Sequence, residues 1–165
     1  MKKTLIILGF ATLIMSCTSP KPEASNEDVQ EVATIEKETT QTSAVSDYMT
    51  LKDAFVKSDA SAAKAAASAL SQSLEADQMD AEVIEAANLI ASSDDLKGQR
   101  AAFKTITDGL ILVLKANGAT AGVYVQYCPM AFGNTGANWL SMSEEILNPY
   151  FGAMMLKCGR VEEEI

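Results

Sequence analysis

The chain has 165 residues, with 22 Asp plus Glu against 13 Lys plus Arg, a formal net charge of −9 and no histidine. The acidic balance, with no Lys/Arg cluster, argues against nucleic acid as a partner. The missing imidazole excludes Ser-His-Asp and Cys-His catalysis. No phosphate-binding glycine loop or dinucleotide fingerprint is present either, so no enzymatic activity is expected.

Lys2 and Lys3 precede an apolar run over residues 5–15 that is too short to span a bilayer, and Ser16-Cys17 follows. This pattern predicts a secretory signal peptide over residues 1–16. Ile14-Met15-Ser16-Cys17 resembles a bacterial lipobox, which makes Cys17 the expected lipidation site. Several acyl chains would hold the protein stably on a membrane. Thr18 follows the cysteine where an aspartate would favour inner-membrane retention, so the expected location is periplasmic, with the outer membrane preferred over the inner. Residues 17–42 are rich in Ser, Thr, Pro and Glu and nearly free of aromatics. That composition predicts a disordered tether. Residues 43–165 have the length of one domain.

The domain opens with helical periodicity. Val45, Tyr48, Leu51 and Phe55 form one apolar stripe, and Ser58-Asp59 supplies a turn and an N-cap. An alanine-rich helix over residues 60–76 places Ala63, Ala66, Ala67, Leu70 and Leu74 on one side. A shorter helix carries Val83, Ala87 and Ile90. Asp94 is the expected cap of a fourth helix running to Asn117, with Phe103, Ile106, Leu110, Val113 and Leu114 facing inward and Gly118 ending it. Gly98 and Gly109 each cost that helix about 1 kcal/mol relative to alanine. The fold class is therefore mainly α, an antiparallel bundle of about four helices.

A small C-terminal β-hairpin and loop subdomain completes the domain. Val123-Tyr124-Val125-Gln126-Tyr127 alternates like a strand and leads into Cys128-Pro129-Met130. Gly133-Asn134-Thr135-Gly136 is turn chemistry, and Asn138-Trp139-Leu140-Ser141 returns as a second strand. The hairpin tip would then carry Cys128 and Met130. Glu144-Glu145-Ile146 reads as a helical turn stopped by Pro149, and the tail after Gly159 as solvated.

Two sulfur clusters stand out, Cys128-Pro129-Met130 and Met154-Met155-Leu156-Lys157-Cys158. Thiolate and thioether suit Cu(I) and similar soft ions. The candidate ligands are Cys128, Met130, Met154, Met155 and Cys158. Met155 and Cys158, three residues apart, share a side if they lie on a helical turn. The competing reading is a disulfide. With Cys17 lipidated, two cysteines remain in an oxidising compartment, and closing their 30-residue separation would stabilise by roughly 3–4 kcal/mol. Both readings stand at this point. Trp139, Tyr150 and Phe151 are candidates for an interface, with core packing as the alternative.

Cys128-Pro129-Met130, Trp139-Leu140-Ser141, Glu145-Ile146, Asn148-Pro149-Tyr150-Phe151-Gly152 and Met155-Leu156-Lys157-Cys158-Gly159, in that order, resemble one family's pattern. The resemblance extends to Gln99-Arg100-Ala101-Ala102-Phe103 and the alanine-rich helix. The family is a domain of unknown function found in bacterial periplasmic lipoproteins and appended to the adaptor (membrane-fusion) subunits of copper and silver efflux pumps. The resemblance implies association with heavy-metal handling and an efflux complex as partner. Some relatives carry histidines near these positions and this chain has none, which turns the expectation from Cu(II) or zinc to Cu(I). The expected function is thus a lipid-anchored protein that sequesters Cu(I) or delivers it to efflux. A disulfide-stabilised structural or interaction lipoprotein is the alternative.

Overall fold

The computed structural model describes residues 43–118 and 122–165. The expected signal peptide, Cys17 and the tether lie outside the described residues. Four helices come first: α1 Ser43–Val56, α2 Ala60–Ala76, α3 Ala81–Ser92 and α4 Leu96–Ala116. Every α1 to α3 residue assigned inward from periodicity is buried. Asp59 caps α2 by accepting from the Ala62 N–H at 2.9 Å. Asp95, not Asp94, caps α4, accepting from the Lys97 and Gly98 amides. Asp94 instead pairs with Lys64 at 2.8 Å. Adjacent aspartates cannot be told apart by spacing alone, since either side chain can reach the first free amides of a helix.

Phe103, Ile106, Leu110 and Leu114 of α4 are buried, but Val113 is 37% exposed, a correction to its expected inward position. Gly109 of α4 has a packing reason. A Cβ there would lie 2.5 Å from Val83 Cγ2, so the missing side chain lets α3 and α4 approach closely. Gln99 explains the first half of the Gln-Arg motif. It is fully buried, and its amide Nε2 donates to the carbonyls of Ala60, Ile90 and Ser93. One side chain thereby ties the start of α2 to the end of α3, where it meets carbonyls that a helix C-terminus leaves open.

The remainder is a three-stranded antiparallel sheet, β1 Tyr124–Cys128, β2 Ala137–Ser141 and β3 Arg160–Glu164, in the order β2-β1-β3. The β1–β2 hairpin is as expected from the alternation. β3 is not, because the segment is charged and its side chains are all exposed. Its role is carried by the backbone, which pairs along the free edge of β1 with a bulge opposite Val125 and Gln126. Ile165 then tucks in, its N–H donating to Val123 O at 2.8 Å. The expected helical turn at Glu144-Glu145-Ile146 is absent. The Ser143 amide bonds Ser141 Oγ, the Glu145 amide bonds Ser143 Oγ, and Gln126 Nε2 donates to the Ser143 and Glu145 carbonyls. These side chain–backbone bonds outcompete a helix.

Sheet and bundle are joined by aromatics and one hydroxyl relay. Phe103 meets Tyr48, Phe55 and Tyr150 at centroid distances of 5.0, 5.0 and 5.9 Å, and Tyr150 meets Trp139 at 6.3 Å. The Leu140 N–H donates to the Tyr48 hydroxyl at 3.1 Å, which bonds Thr107 Oγ1 at 2.8 Å; Thr107 in turn donates to Phe103 O. Tyr48 thus satisfies an edge-strand amide that would otherwise be buried without a partner. The same burial pushes its phenol well above the ordinary range, so it acts as a neutral hydroxyl.

Candidate dithiol site

Sheet register brings the two cysteines together. Cys128 ends β1 opposite Ala137 of β2. On the other edge Tyr127 pairs with Arg160, so the chain entering β3 passes beside Cys128. Gly159 makes that passage possible. Its φ is +149°, and a Cβ would lie 2.6 Å from Trp139 Cη2 and 2.9 Å from Tyr127 O. Any other residue would push the strand off the indole and carry Cys158 away.

The result is a free thiol pair, Cys128 Sγ to Cys158 Sγ at 3.3 Å. Cys128 is fully buried and Cys158 half-buried. The hydrogen bond to Cys128, together with desolvation, raises the Cys158 thiol above its ordinary value. Cys158 is therefore not an acidified nucleophile of the kind reactive cysteines need.

Asn148 fixes the Cys158 side. It is fully buried, and its Nδ2 donates to Cys158 O at 2.7 Å. Its Oδ1 accepts from the amides of Tyr150 and Phe151 at 2.8 and 3.2 Å, while its own N–H reaches Leu156 O. One amide side chain holds the Asn-Pro-Tyr-Phe-Gly loop and the cysteine segment as a unit. Arg100 anchors the same loop to the bundle, donating from Nε to Pro149 O at 2.8 Å and from Nη2 to Phe55 O and Ser58 Oγ. Gly152 passes under it, where a Cβ would meet Ser58 Oγ at 2.3 Å. In the sequence Asn148 and Arg100 stand out only as parts of motifs. Neither an i, i+2 Asx contact nor a long-range arginine bond is visible without the fold.

Of the methionines, Met130 is 45% and Met154 78% exposed, so neither fills the core. Met130 follows Cys128 by two residues at the start of the single turn Ala131–Asn134. Met155 is half-buried and opens the turn closed by the Cys158 N–H bonding Met155 O at 3.0 Å. No cluster of three or more His, Cys, Asp or Glu suited to a metal occurs among the described residues. Among the described residues the nearest soft donors in sequence to the two thiols are the thioethers of Met130, Met154 and Met155. Trp139 and Tyr150 are buried in the core, the packing role given as the alternative to an interface, and Phe151 keeps a partly open face.

With thiolate–metal bonds of about 2.3 Å, sulfurs at 3.3 Å subtend about 92° at a bound ion. A tetrahedral angle needs a separation of about 3.8 Å and a linear one about 4.6 Å. A disulfide needs about 2.05 Å. Opening by about 0.5 Å thus suffices for a bent chelate with further ligands. Closing to a disulfide takes about 1.2 Å, and a two-coordinate linear site about 1.3 Å.

No curated protein and no solved structure matches the chain. A family match ends at residue 122, short of both cysteines. Residues 44–122 match the model of a family described as protein of unknown function (DUF3347), which places a domain of unknown function over the four helices.

Proposed function

We propose that this protein binds Cu(I) as cargo at the Cys128–Cys158 pair, for sequestration in the cell envelope or transfer to a heavy-metal efflux complex. The observation that carries the reading is the approach of two free thiols to 3.3 Å from segments thirty residues apart. The separation is nearest to that of a bent chelate. Cys128 and Cys158 supply thiolates on losing their protons, and Met130 or Met155 supplies a thioether, a donor set that suits a soft monovalent ion. Met154, the most exposed of the set, would hand the ion over rather than hold it. The lipobox at Cys17 supports a lipid anchor, and the resemblance to efflux-associated lipoproteins supports the partner class. Among the described residues no helix is long and apolar enough to cross a membrane.

Anaerobic titration of the reduced protein with Cu(I) against a chromophoric chelator tests this. One equivalent should be withdrawn from the chelator. The reading fails if Cys128→Ser/Cys158→Ser competes as well as the parent. The second reading, a disulfide-stapled interaction lipoprotein, rests on the same proximity and on the burial of Cys128. Protein isolated without reductant would then show no titratable thiol, and reduction would lower its stability by roughly 3–4 kcal/mol.

A further inference from the structure

Nine Lys and Arg lie among the described residues, and six of them stand in ion pairs. Lys57, Lys97 and Arg100 do not, although acids outnumber bases 22 to 13 in the chain. Two of these three, Lys97 and Arg100, line one groove of about 390 Å³, within the size range of small-molecule sites. Its other walls are Leu96, Ala131, Phe132, Tyr150 and Phe151, with no carboxylate among them. Two cations without an ion pair among the described residues thus face an apolar floor, an arrangement complementary to an anion.

The guanidinium of Arg100 is held only by neutral acceptors, through Nε and Nη2. Its Nη1 makes no hydrogen bond among the described residues. Burial lowers its pKa from the ordinary value, the direction expected of a cation short of counter-charge. The second observation is backbone strain. Phe132 is a non-glycine residue at φ 50°, ψ 49°, a left-handed conformation costing roughly 1–2 kcal/mol. That backbone holds a ring that is 41% exposed, edge-on to Tyr150 at 5.3 Å. Strain that keeps an aromatic ring out at a groove mouth is the kind found where ligands are clamped.

We propose that this groove binds a small molecule made of a flat apolar body and one carboxylate, the body lying against Phe132, Tyr150 and Phe151 and the carboxylate at Arg100 and Lys97. A monoanion fits better than a phosphate dianion. Asp95 already occupies the Lys97 and Gly98 amides at the start of α4, so the helix end offers those donors to no ligand and adds a negative charge nearby. Neither cysteine lines the groove, and the proposal does not rest on copper binding.

The full chain, reduced and metal-free, is titrated with 2-naphthoate and with neutral 2-naphthamide while ¹H–¹⁵N spectra are recorded. The expected result is saturable naphthoate shifts at Lys97, Phe132, Tyr150 and Phe151, with naphthamide at least about tenfold weaker, the worth of one charge-assisted contact. Lys97→Glu should weaken naphthoate by about tenfold or more. Lys57→Glu, the same charge change on an exposed lysine outside the groove, should leave affinity within about twofold. Phe132→Gly, which relieves the backbone while removing the ring, should keep the fold and lose binding. The proposal is overturned if naphthamide binds as well as naphthoate, if Lys57→Glu weakens binding as much as Lys97→Glu, if Phe132→Gly binds normally, or if the shifts map elsewhere or never saturate at millimolar ligand.

Discussion

Removing the Asn148 side chain tests whether the loop and the cysteine segment form one unit. In Asn148→Ala three groups lose their partner at once: Cys158 O, the Tyr150 N–H and the Phe151 N–H. The Tyr150 amide belongs to a buried residue, so its loss costs about 1–3 kcal/mol. The other two sit on half-buried residues where water can partly substitute, about 0.5–1 kcal/mol each. The sum is roughly 3 kcal/mol, or about a hundredfold in the equilibrium for opening the segment. Urea unfolding followed by the fluorescence of Trp139, the chain's one tryptophan, measures the global part. Amide exchange at Tyr150 and the rate at which a thiol reagent labels buried Cys128 measure the local part. Both rates should rise steeply. Asn148→Asp keeps the acceptor for the two amides and loses the donor to Cys158 O, so Tyr150 should stay protected while Cys128 labelling still accelerates. A loss below about 1 kcal/mol in Asn148→Ala, with Cys128 labelling unchanged, would refute the idea that Asn148 positions the dithiol.

Tyr48→Phe leaves the Leu140 amide buried without its acceptor, and should cost about 1–3 kcal/mol in urea unfolding with the bundle helices still formed by circular dichroism. Gly109→Ala sets a helix-propensity gain of about 1 kcal/mol against a 2.5 Å approach to Val83 Cγ2. The contact should win because Val83 is buried and cannot swing aside, so the variant melts lower than the parent, and a higher melting temperature would contradict the packing account. The hydrogen bond to Cys128 and burial raise the Cys158 pKa, which favours the neutral thiol in the folded state. That contribution is present below the ordinary thiol pKa and is lost as pH rises through the raised folded value. Alkylation of Cys158 by iodoacetamide should therefore begin at higher pH in the parent than in Cys128→Ala, and coincident pH profiles would rule out the thiol–thiol coupling.

The helical half was legible because its information is periodic. Val45, Tyr48, Leu51 and Phe55, or Ala63 through Leu74, repeat at helical spacing and need no distant partner to be read. Val113 misled because a helix stripe has soft edges and its neighbour Leu114 already fills the inward position. The C-terminal part was legible only where side-chain pattern and strand coincide, as in Val123 to Tyr127 and in Asn138 to Ser141. β3 carries its information in the backbone. Arg160–Glu164 presents only exposed side chains, and the same residues would suit a solvated tail equally well.

That one misreading bears directly on the site. From sequence, the convergence of Cys128 and Cys158 had to be assumed; in the fold it follows from β3 pairing with β1, with Gly159 as the residue that lets the chain pass over Trp139. The pairing also explains why the sulfur clusters lie where they do. One sits at the end of the central strand and the other at the entrance to its edge partner, so register, not loop flexibility, sets the distance between the thiols. A site built this way is stiff toward large changes and tolerant of small ones, because strands in a ladder slide by whole residues or not at all. An opening of about 0.5 Å for a bent chelate lies within the play of one half-buried cysteine on a turn. A linear site needs about 1.3 Å, which would pull Cys158 against the Asn148 clamp and the Tyr127–Arg160 pair. For any ion bound between the two thiols, the sheet therefore disfavours a two-coordinate linear arrangement, which needs the larger movement, relative to a bent one.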